Sequence, residues 1–75
     1  MKPVKIKTEY IELQMLLKME DIINFGGQAK YFLLENKVYV NDELEQRRGR
    51  KLYPGYKVKV LNQEFIIEND NWNKI

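Results

Sequence analysis

The sequence contains neither cysteine nor histidine. Without cysteine there are no disulfides and no thiolate metal sites, which is typical of proteins from reducing compartments. Without histidine the chain lacks the commonest general base and the commonest metal ligand. It also has no phosphate-binding glycine loop of the nucleotide-hydrolase type, and no carboxylate pair accompanied by a nucleophile. We therefore predict a protein that is not an enzyme and that needs no cofactor.

Long apolar runs are also absent. No segment approaches the roughly 20 apolar residues of a membrane span. The N-terminal stretch MKPVKIKTEY alternates charged with apolar side chains and lacks the apolar centre of a signal peptide. The 75 residues are 44% hydrophobic and 12% aromatic, as in a small folded domain. We expect one soluble, monomeric domain, residues 1–75, in the cytoplasm.

Charge is segregated along the chain, although the net charge is only +2. Residues 46–63 contain no acidic side chain. The basic residues of that stretch are Arg47, Arg48, Arg50, Lys51, Lys57 and Lys59. Four of them fall within residues 47–51, where mutual repulsion brings the fold no evident benefit. We call residues 45–51 the basic loop. Its composition indicates either a solvated surface or a site for an anion.

The N-terminal part of the sequence predicts a strand and then a helix. Residues 3–8 alternate apolar and polar side chains, which predicts a strand within a leading segment, residues 1–10. Over residues 12–21 the apolar residues recur at the spacing of an α-helix, which predicts a helix there. The apolar stripe of this helix is Leu13, Leu16 and Leu17. Met15 and Met19 widen the stripe, and we expect them to fill the core.

The remainder predicts a second helix, a short strand and a hairpin. The helix covers residues 27–35, and Asn36 is expected to end it in a left-handed conformation. A short strand containing Val38 and Val40 follows. Three turn signals come next: Asn41–Asp42, Pro54–Gly55 and Asn62–Gln63. The last of them joins the two strands of the hairpin, and residues 69–75 form a loose polar tail.

The predicted order is strand, helix, helix, short strand, basic loop and hairpin. This order predicts an α+β fold in which two helices pack on a small, mostly antiparallel sheet. The core motif spans residues 12–61.

Residues 26–55, GGQAKYFLLENKVYVNDELEQRRGRKLYPG, resemble the RNA-binding domain first seen in ribosomal small-subunit protein S-four, also called the αL RNA-binding motif. In that family the second helix carries an alanine and a basic residue, and a V-x-V-N run and a turn glycine follow. The matching positions are Ala29, Lys30, Val38, Val40, Asn41 and Gly55. More narrowly, the chain is similar to the free-standing bacterial group often called YaaA-like. This resemblance implies a small bacterial protein that binds structured ribosomal RNA or a ribosome assembly intermediate.

Four positions depart from the family pattern. Asn36 stands where the family usually has a glycine after the second helix, a conservative change for the backbone. Gly26 stands where many members carry an arginine, Asp42 replaces a glycine, and Tyr56 replaces an aspartate. Because this arginine is missing, we expect the basic loop to provide more of the phosphate contacts.

The basic loop and the resemblance together give a set of candidate RNA-binding residues. They are Lys18, Gly27, Gln28, Lys30, Arg47, Arg48, Arg50, Lys51 and Tyr53. The cations would neutralise phosphates, for which the planar arginine fork is well suited. Gly27 either exposes backbone N–H groups to a phosphate or only allows a tight turn. Tyr53 either stacks on a base or covers the core.

Two other functions are compatible with the sequence. A protein-interaction adaptor would use the basic loop to dock an acidic partner. A DNA-binding accessory protein in replication or repair would use the same charges, although the short second helix does not suggest a reader of the major groove.

Overall fold

The structure, a computed structural model, describes residues 1–70. In chain order the elements are β1 (Lys2–Ile6), β2 (Ile11–Glu12), α1 (Leu13–Met19), a 3₁₀ turn (Gly26–Gln28), α2 (Ala29–Glu35), β3 (Tyr39–Val40), β4 (Glu43–Leu44), β5 (Lys51–Leu52), β6 (Lys57–Val60) and β7 (Gln63–Asn69). The predicted α+β class is confirmed, with two helices packed on a mostly antiparallel sheet. None of the helices within residues 1–70 has the length and apolar character needed to cross a bilayer.

The main sheet has five strands in the order β1-β7-β6-β3-β4. β1 runs parallel to β7, with Val4 opposite Ile67, and the other neighbouring strands are antiparallel. A separate ribbon forms where β2 pairs with β5, with Ile11 opposite Leu52. This ribbon connects the start of α1 to the end of the basic loop.

The core lies between the helices and one face of the sheet. The predicted stripe of α1 is confirmed, because Leu13, Leu16 and Leu17 are all fully buried. The sheet contributes alternate residues of its strands: Val4, Ile6, Val40, Val58, Val60, Phe65 and Ile67. Burying each large aliphatic or aromatic side chain contributes about 1.5–3 kcal/mol relative to leaving it exposed.

The prediction that Met15 and Met19 fill the core was wrong, since each is 45% exposed. Successive helical residues rotate by about 100°, which places both methionines on the side of α1 away from the leucine stripe. The helix is also shorter than the predicted residues 12–21: it begins at Leu13, because Glu12 belongs to β2, and it ends at Met19.

Asn36 ends α2 by a different mechanism from the one predicted. Its backbone is extended, with φ −130° and ψ 139°, and is not left-handed. Its main-chain N–H donates to the Phe32 carbonyl at 2.9 Å, and its Nδ2 donates to the same oxygen at 3.1 Å. Hydrogen bonds to a terminal carbonyl therefore replace the expected left-handed cap.

Two of the three predicted turns are confirmed. Asn41 and Asp42 both have positive φ, and Gly55 has φ 96° in a turn closed by the Tyr56 N–H donating to the Tyr53 carbonyl at 3.0 Å. The third turn is shifted by one residue.

The hairpin turn consists of Leu61 and Asn62, with φ 51° and 63°, because Gln63 already belongs to β7. β7 continues to Asn69, and the Asp70 N–H donates to the Ile6 carbonyl at 2.8 Å. Asn69, the first residue of the predicted tail, therefore belongs to the sheet, and Asp70 is hydrogen-bonded to it. Residues 71–75 lie outside the described residues.

Candidate nucleic-acid interface

The backbone of the basic loop is fixed against the first helix. A helix begins with N–H groups that have no partner within the helix. In α1 the first two, from Leu13 and Gln14, donate to the carbonyls of Arg50 and Arg48 at 2.8 and 2.9 Å. The Glu45 N–H also donates to the Val38 carbonyl at 2.8 Å, beside the main sheet. The loop is thus held at both ends, so its side chains project from a defined backbone.

A buried carboxylate lies beneath the arginines of the loop. Glu45 is 5% exposed, and among residues 1–70 it is the one buried charged residue. Its oxygens accept hydrogen bonds from Nε and Nη2 of Arg47 at 2.9 and 3.1 Å, and from Nη1 of Arg50 at 2.7 Å. The Arg47 main-chain N–H donates to the same carboxylate at 3.0 Å. One acidic side chain therefore orients two of the four cations.

These contacts change the ionisation of both partners. The side-chain hydrogen bonds from Arg47 are the main reason that the pKa of Glu45 falls from 4.5 to about 2, against the opposing effect of burial. The same hydrogen bonds raise the pKa of Arg47 above its ordinary value. The carboxylate is therefore ionised at neutral pH and remains a permanent part of the loop.

The four cations of the basic loop differ in how exposed their side chains are and in the contacts that they make within the protein. The Arg50 side chain is 24% exposed and also lies 5.7 Å from the centre of the Tyr56 ring. The Arg47 side chain is 74% exposed despite its pairing. Arg48 and Lys51 are exposed, and Nζ of Lys51 lies 4.9 Å from the centre of the Tyr10 ring. Arg47, Arg48 and Lys51 are the cations most accessible to an anion.

The rings of three tyrosines, Tyr10, Tyr53 and Tyr56, pack in a row beside the basic loop. The Tyr53 ring lies 5.5 Å from that of Tyr10 and 5.7 Å from that of Tyr56, centre to centre. Tyr53 is half-buried, so it is not the freely projecting ring that base stacking prefers. It borders a cleft of about 530 Å³ together with Arg47, Gly49, Arg50, Lys51 and Tyr56. We call this the cationic cleft.

The helical candidates lie in different places. Lys18 is exposed on α1 and lines a second groove, on the Tyr10 side of the loop. Lys30 is exposed on α2 and lines neither this groove nor the cationic cleft. Gly27 is exposed in the 3₁₀ turn. The Gln28 Oε1 accepts hydrogen bonds from the main chain of Asn24 at 2.6 Å and of Phe25 at 3.1 Å, so this acceptor stabilises the turn.

Arg47, Arg50, Lys51 and Tyr53 are therefore brought together in one cleft. Arg48 adjoins it through the loop backbone.

Sequence reasoning missed the roles of Glu45 and Tyr10. Glu45 was given no role, although it comes two residues before Arg47 and five before Arg50. A single acid at the edge of a cationic run is a usable signal for pairing. Tyr10 had no such signal, because it meets Tyr53 and Lys51 only through the pairing of β2 with β5.

Comparison with known proteins gives two matches. The family model described as the S4 domain matches residues 4–68. A protein of Bacillus subtilis (strain 168) named "Probable ribosome maturation protein RlbA" is 53% identical over 58 residues, which cover 77% of this chain and 82% of that protein. No solved structure gives a significant match. The resemblance recognised in residues 26–55 is confirmed and extends over most of the chain.

Proposed function

Because the chain belongs to the S4 domain family, we propose that it is a non-catalytic RNA-binding module that acts on structured ribosomal RNA or on a ribosome assembly intermediate. The name of the Bacillus subtilis relative, a probable ribosome maturation protein, supports the ribosomal part of this proposal. Such a role takes place in the cytoplasm.

The observation that carries the proposal is the fixed geometry of the basic loop. Its carbonyls cap α1, and two of its arginines are held by Glu45. Ordering a flexible cationic loop on binding would cost conformational entropy, and a loop that is already ordered avoids much of this cost. The arrangement favours a ligand with phosphates in a defined pattern over a diffuse acidic partner.

Each cation has a role in this proposal. Arg48 and Lys51 contact phosphates directly, and Arg47 donates its remaining N–H groups while it stays paired with Glu45. Arg50 supports the loop from below. Lys18 adds a phosphate contact at the neighbouring groove. Lys30 adds a positive charge on α2. Because these side chains contact phosphates, the RNA is recognised chiefly by the shape and charge of its backbone.

A salt-series titration tests the proposal. A ribosomal RNA hairpin with flanking single-stranded loops is compared with duplex DNA of the same length. If about four phosphates are engaged, log K falls with log salt at a slope of about −3 to −4. Binding that is tighter to RNA and steep in salt is the expected result.

A pair of matched variants assigns the site. Arg48→Gln is expected to reduce the slope by roughly 1 unit, because one phosphate contact is lost. Lys37→Gln removes the same charge from an exposed residue that lines a cavity without any basic-loop residue, and it should leave the slope unchanged. Equal binding to RNA and DNA would reduce the proposal to unspecific electrostatics. Absence of binding at low salt would favour a protein partner.

A further inference from the structure

A groove of about 610 Å³ lies next to the basic loop and has a different chemical character. Tyr10, Met15 and Gly26 are among the residues that line it, and most of its lining is apolar. Met15 is 45% exposed and does not belong to the core. We call this cavity the Tyr10 groove.

The Tyr10 groove is continuous with the proposed phosphate surface. Gln14, which lines the groove, donates its main-chain N–H to the Arg48 carbonyl at 2.9 Å. Lys51 of the basic loop lies over the Tyr10 ring, and Tyr53 of the cationic cleft packs against the same ring. An RNA strand whose phosphates contact Arg48 and Lys51 therefore passes the mouth of the groove.

The charges of the groove argue for a base as its occupant. Glu9 and Glu12 line it together with one cation, Lys18, so the carboxylates outnumber the cation and a phosphate inside the groove would be repelled. In this arrangement Lys18 would contact a phosphate of the strand outside the groove. Apolar walls with a tyrosine ring and a methionine suit the flat face of an unpaired base. The strand can thus place its phosphates on the basic loop and its base in the groove.

The carboxylate of Glu12 further specifies the base. Its Oε1 accepts a hydrogen bond from Nε2 of Gln14 at 2.6 Å, which holds the half-buried carboxylate in place. Two carboxylate oxygens offer about four acceptor positions, so most remain available. Guanine presents two adjacent donors, N1–H and the N2 amino group, on its Watson–Crick edge. A carboxylate accepts both at once, whereas uracil offers one donor and two carbonyl acceptors.

We propose that the Tyr10 groove binds one unpaired guanine of the RNA, with the Glu12 carboxylate accepting hydrogen bonds from N1–H and N2–H and with the base lying against Tyr10 and Met15. This inference rests on the proposed function, because the basic loop must first bring the RNA to the groove.

The test uses one RNA hairpin with a fixed stem and a single bulged nucleotide, which is guanine, inosine, adenine or uracil. Inosine differs from guanine only by the missing N2 amino group. Guanine is expected to bind about tenfold more tightly than inosine, which is within the usual range for a bidentate base contact. The salt slope should be the same for all four hairpins, because the phosphate contacts are unchanged.

Glu12→Gln provides the decisive variant. An amide presents one donor and one acceptor, which match the adenine edge better than the guanine edge. The preference for guanine over inosine should disappear, and adenine should become the better ligand. Glu43→Gln is the matched control, since it removes the same charge from an exposed residue outside the groove, and it should retain the guanine preference.

A second variant guards against a folding defect in Glu12→Gln. Met15→Ala alters only an exposed apolar contact, and it should weaken binding of the guanine hairpin without changing the salt slope. Hairpins that all bind equally and with steep salt dependence would overturn the guanine site and leave the proposed function intact. If no hairpin binds at low salt, the proposed function fails and the guanine site with it.

Discussion

The Glu45 carboxylate accepts hydrogen bonds from both the side chain and the main chain of Arg47, at 2.9 Å from Nε and 3.0 Å from the backbone nitrogen. The same side chain also accepts a hydrogen bond from Arg50. A loop that looks purely cationic in the sequence is therefore built around a buried negative charge. This charge offsets repulsion between the arginines and sets the direction in which they point.

The first prediction concerns stability in acid. The pKa of Glu45 is about 2 in the folded protein against 4.5 ordinarily, so its stabilisation is fully present above pH 4.5. It is lost as the pH falls from 4.5 towards about 2, because the unfolded chain takes up the proton first. Glu45→Gln should lower the free energy of unfolding by roughly 1.5–3 kcal/mol at pH 7, the range for hydrogen bonds to a charged group. Urea titrations between neutral and acidic pH measure the difference.

Glu43→Gln is the control for this experiment, because Glu43 is an exposed acidic residue two positions from Glu45. Its unfolding free energy should follow that of the wild type at every pH. A Glu45→Gln deficit that stayed constant down to pH 2 would contradict the assigned pKa.

The second prediction concerns nucleic-acid binding by the same variant. Without the negative charge of Glu45, Arg47 and Arg50 are no longer neutralised. Glu45→Gln should bind duplex DNA more tightly at low salt, with a salt slope steeper by roughly 1 unit, whereas RNA should gain less affinity because the loop is no longer ordered before it binds. The preference for RNA over duplex DNA should narrow, because the arginines lose their fixed direction. Glu43→Gln carries the same change in net charge, and equal effects of the two variants would refute a specific role for Glu45.

The third prediction separates two glycines. Gly55 has φ 96°, a backbone conformation that is strained for a residue with a side chain. Gly55→Ala should therefore destabilise the protein by about 1–2 kcal/mol. Gly49 lies in the basic loop, does not have a positive φ and has open space where a Cβ would be. Gly49→Ala should change stability by no more than about 0.5 kcal/mol. Thermal unfolding of the two variants makes the comparison, and a large loss at Gly49 would contradict it.

The fourth prediction is a stabilising substitution. Leu61 has φ 51° and is half exposed at the first position of the β6–β7 turn, where both central residues are left-handed. Asparagine tolerates this conformation much better than leucine. Leu61→Asn should stabilise the protein by about 0.5–1 kcal/mol, the order of the left-handed penalty. Leu61→Ala removes the same exposed apolar surface but keeps a Cβ without the polar group, so it should give no comparable gain in urea unfolding.

The sequence predicts the elements of this fold better than it predicts their contacts. Strong local patterns, such as the α1 leucines and the Pro54–Gly55 turn, were sufficient because spacing and backbone preference determine them directly. Met15 and Met19 were misjudged because apolar character does not reveal which side of a short helix is covered. Asn36 was misjudged because its side chain offered two ways to end a helix, and propensity does not choose between them.

The candidate site was predicted in composition but not in organisation. The run of cations is visible in the sequence, whereas the docking of its carbonyls on Leu13 and Gln14 requires tertiary structure. The same applies to Tyr10, which is far from Tyr53 in the sequence and meets it across the β2–β5 ribbon. Pairings of distant segments are set by the whole fold and leave little trace in local pattern.

The parallel pairing of β1 with β7 has a consequence for the folding pathway. β6 and β7 form a local hairpin, but β1 must find a partner from the opposite end of the described chain, with Val4 opposite Ile67. Closing so long a loop costs entropy that short-range contacts cannot repay. During synthesis, β1 therefore cannot form its hydrogen bonds to β7 until residues 63–69 have left the ribosome. Among the strands of residues 1–70, β7 is the last in chain order, and its pairing with β1 completes the main sheet.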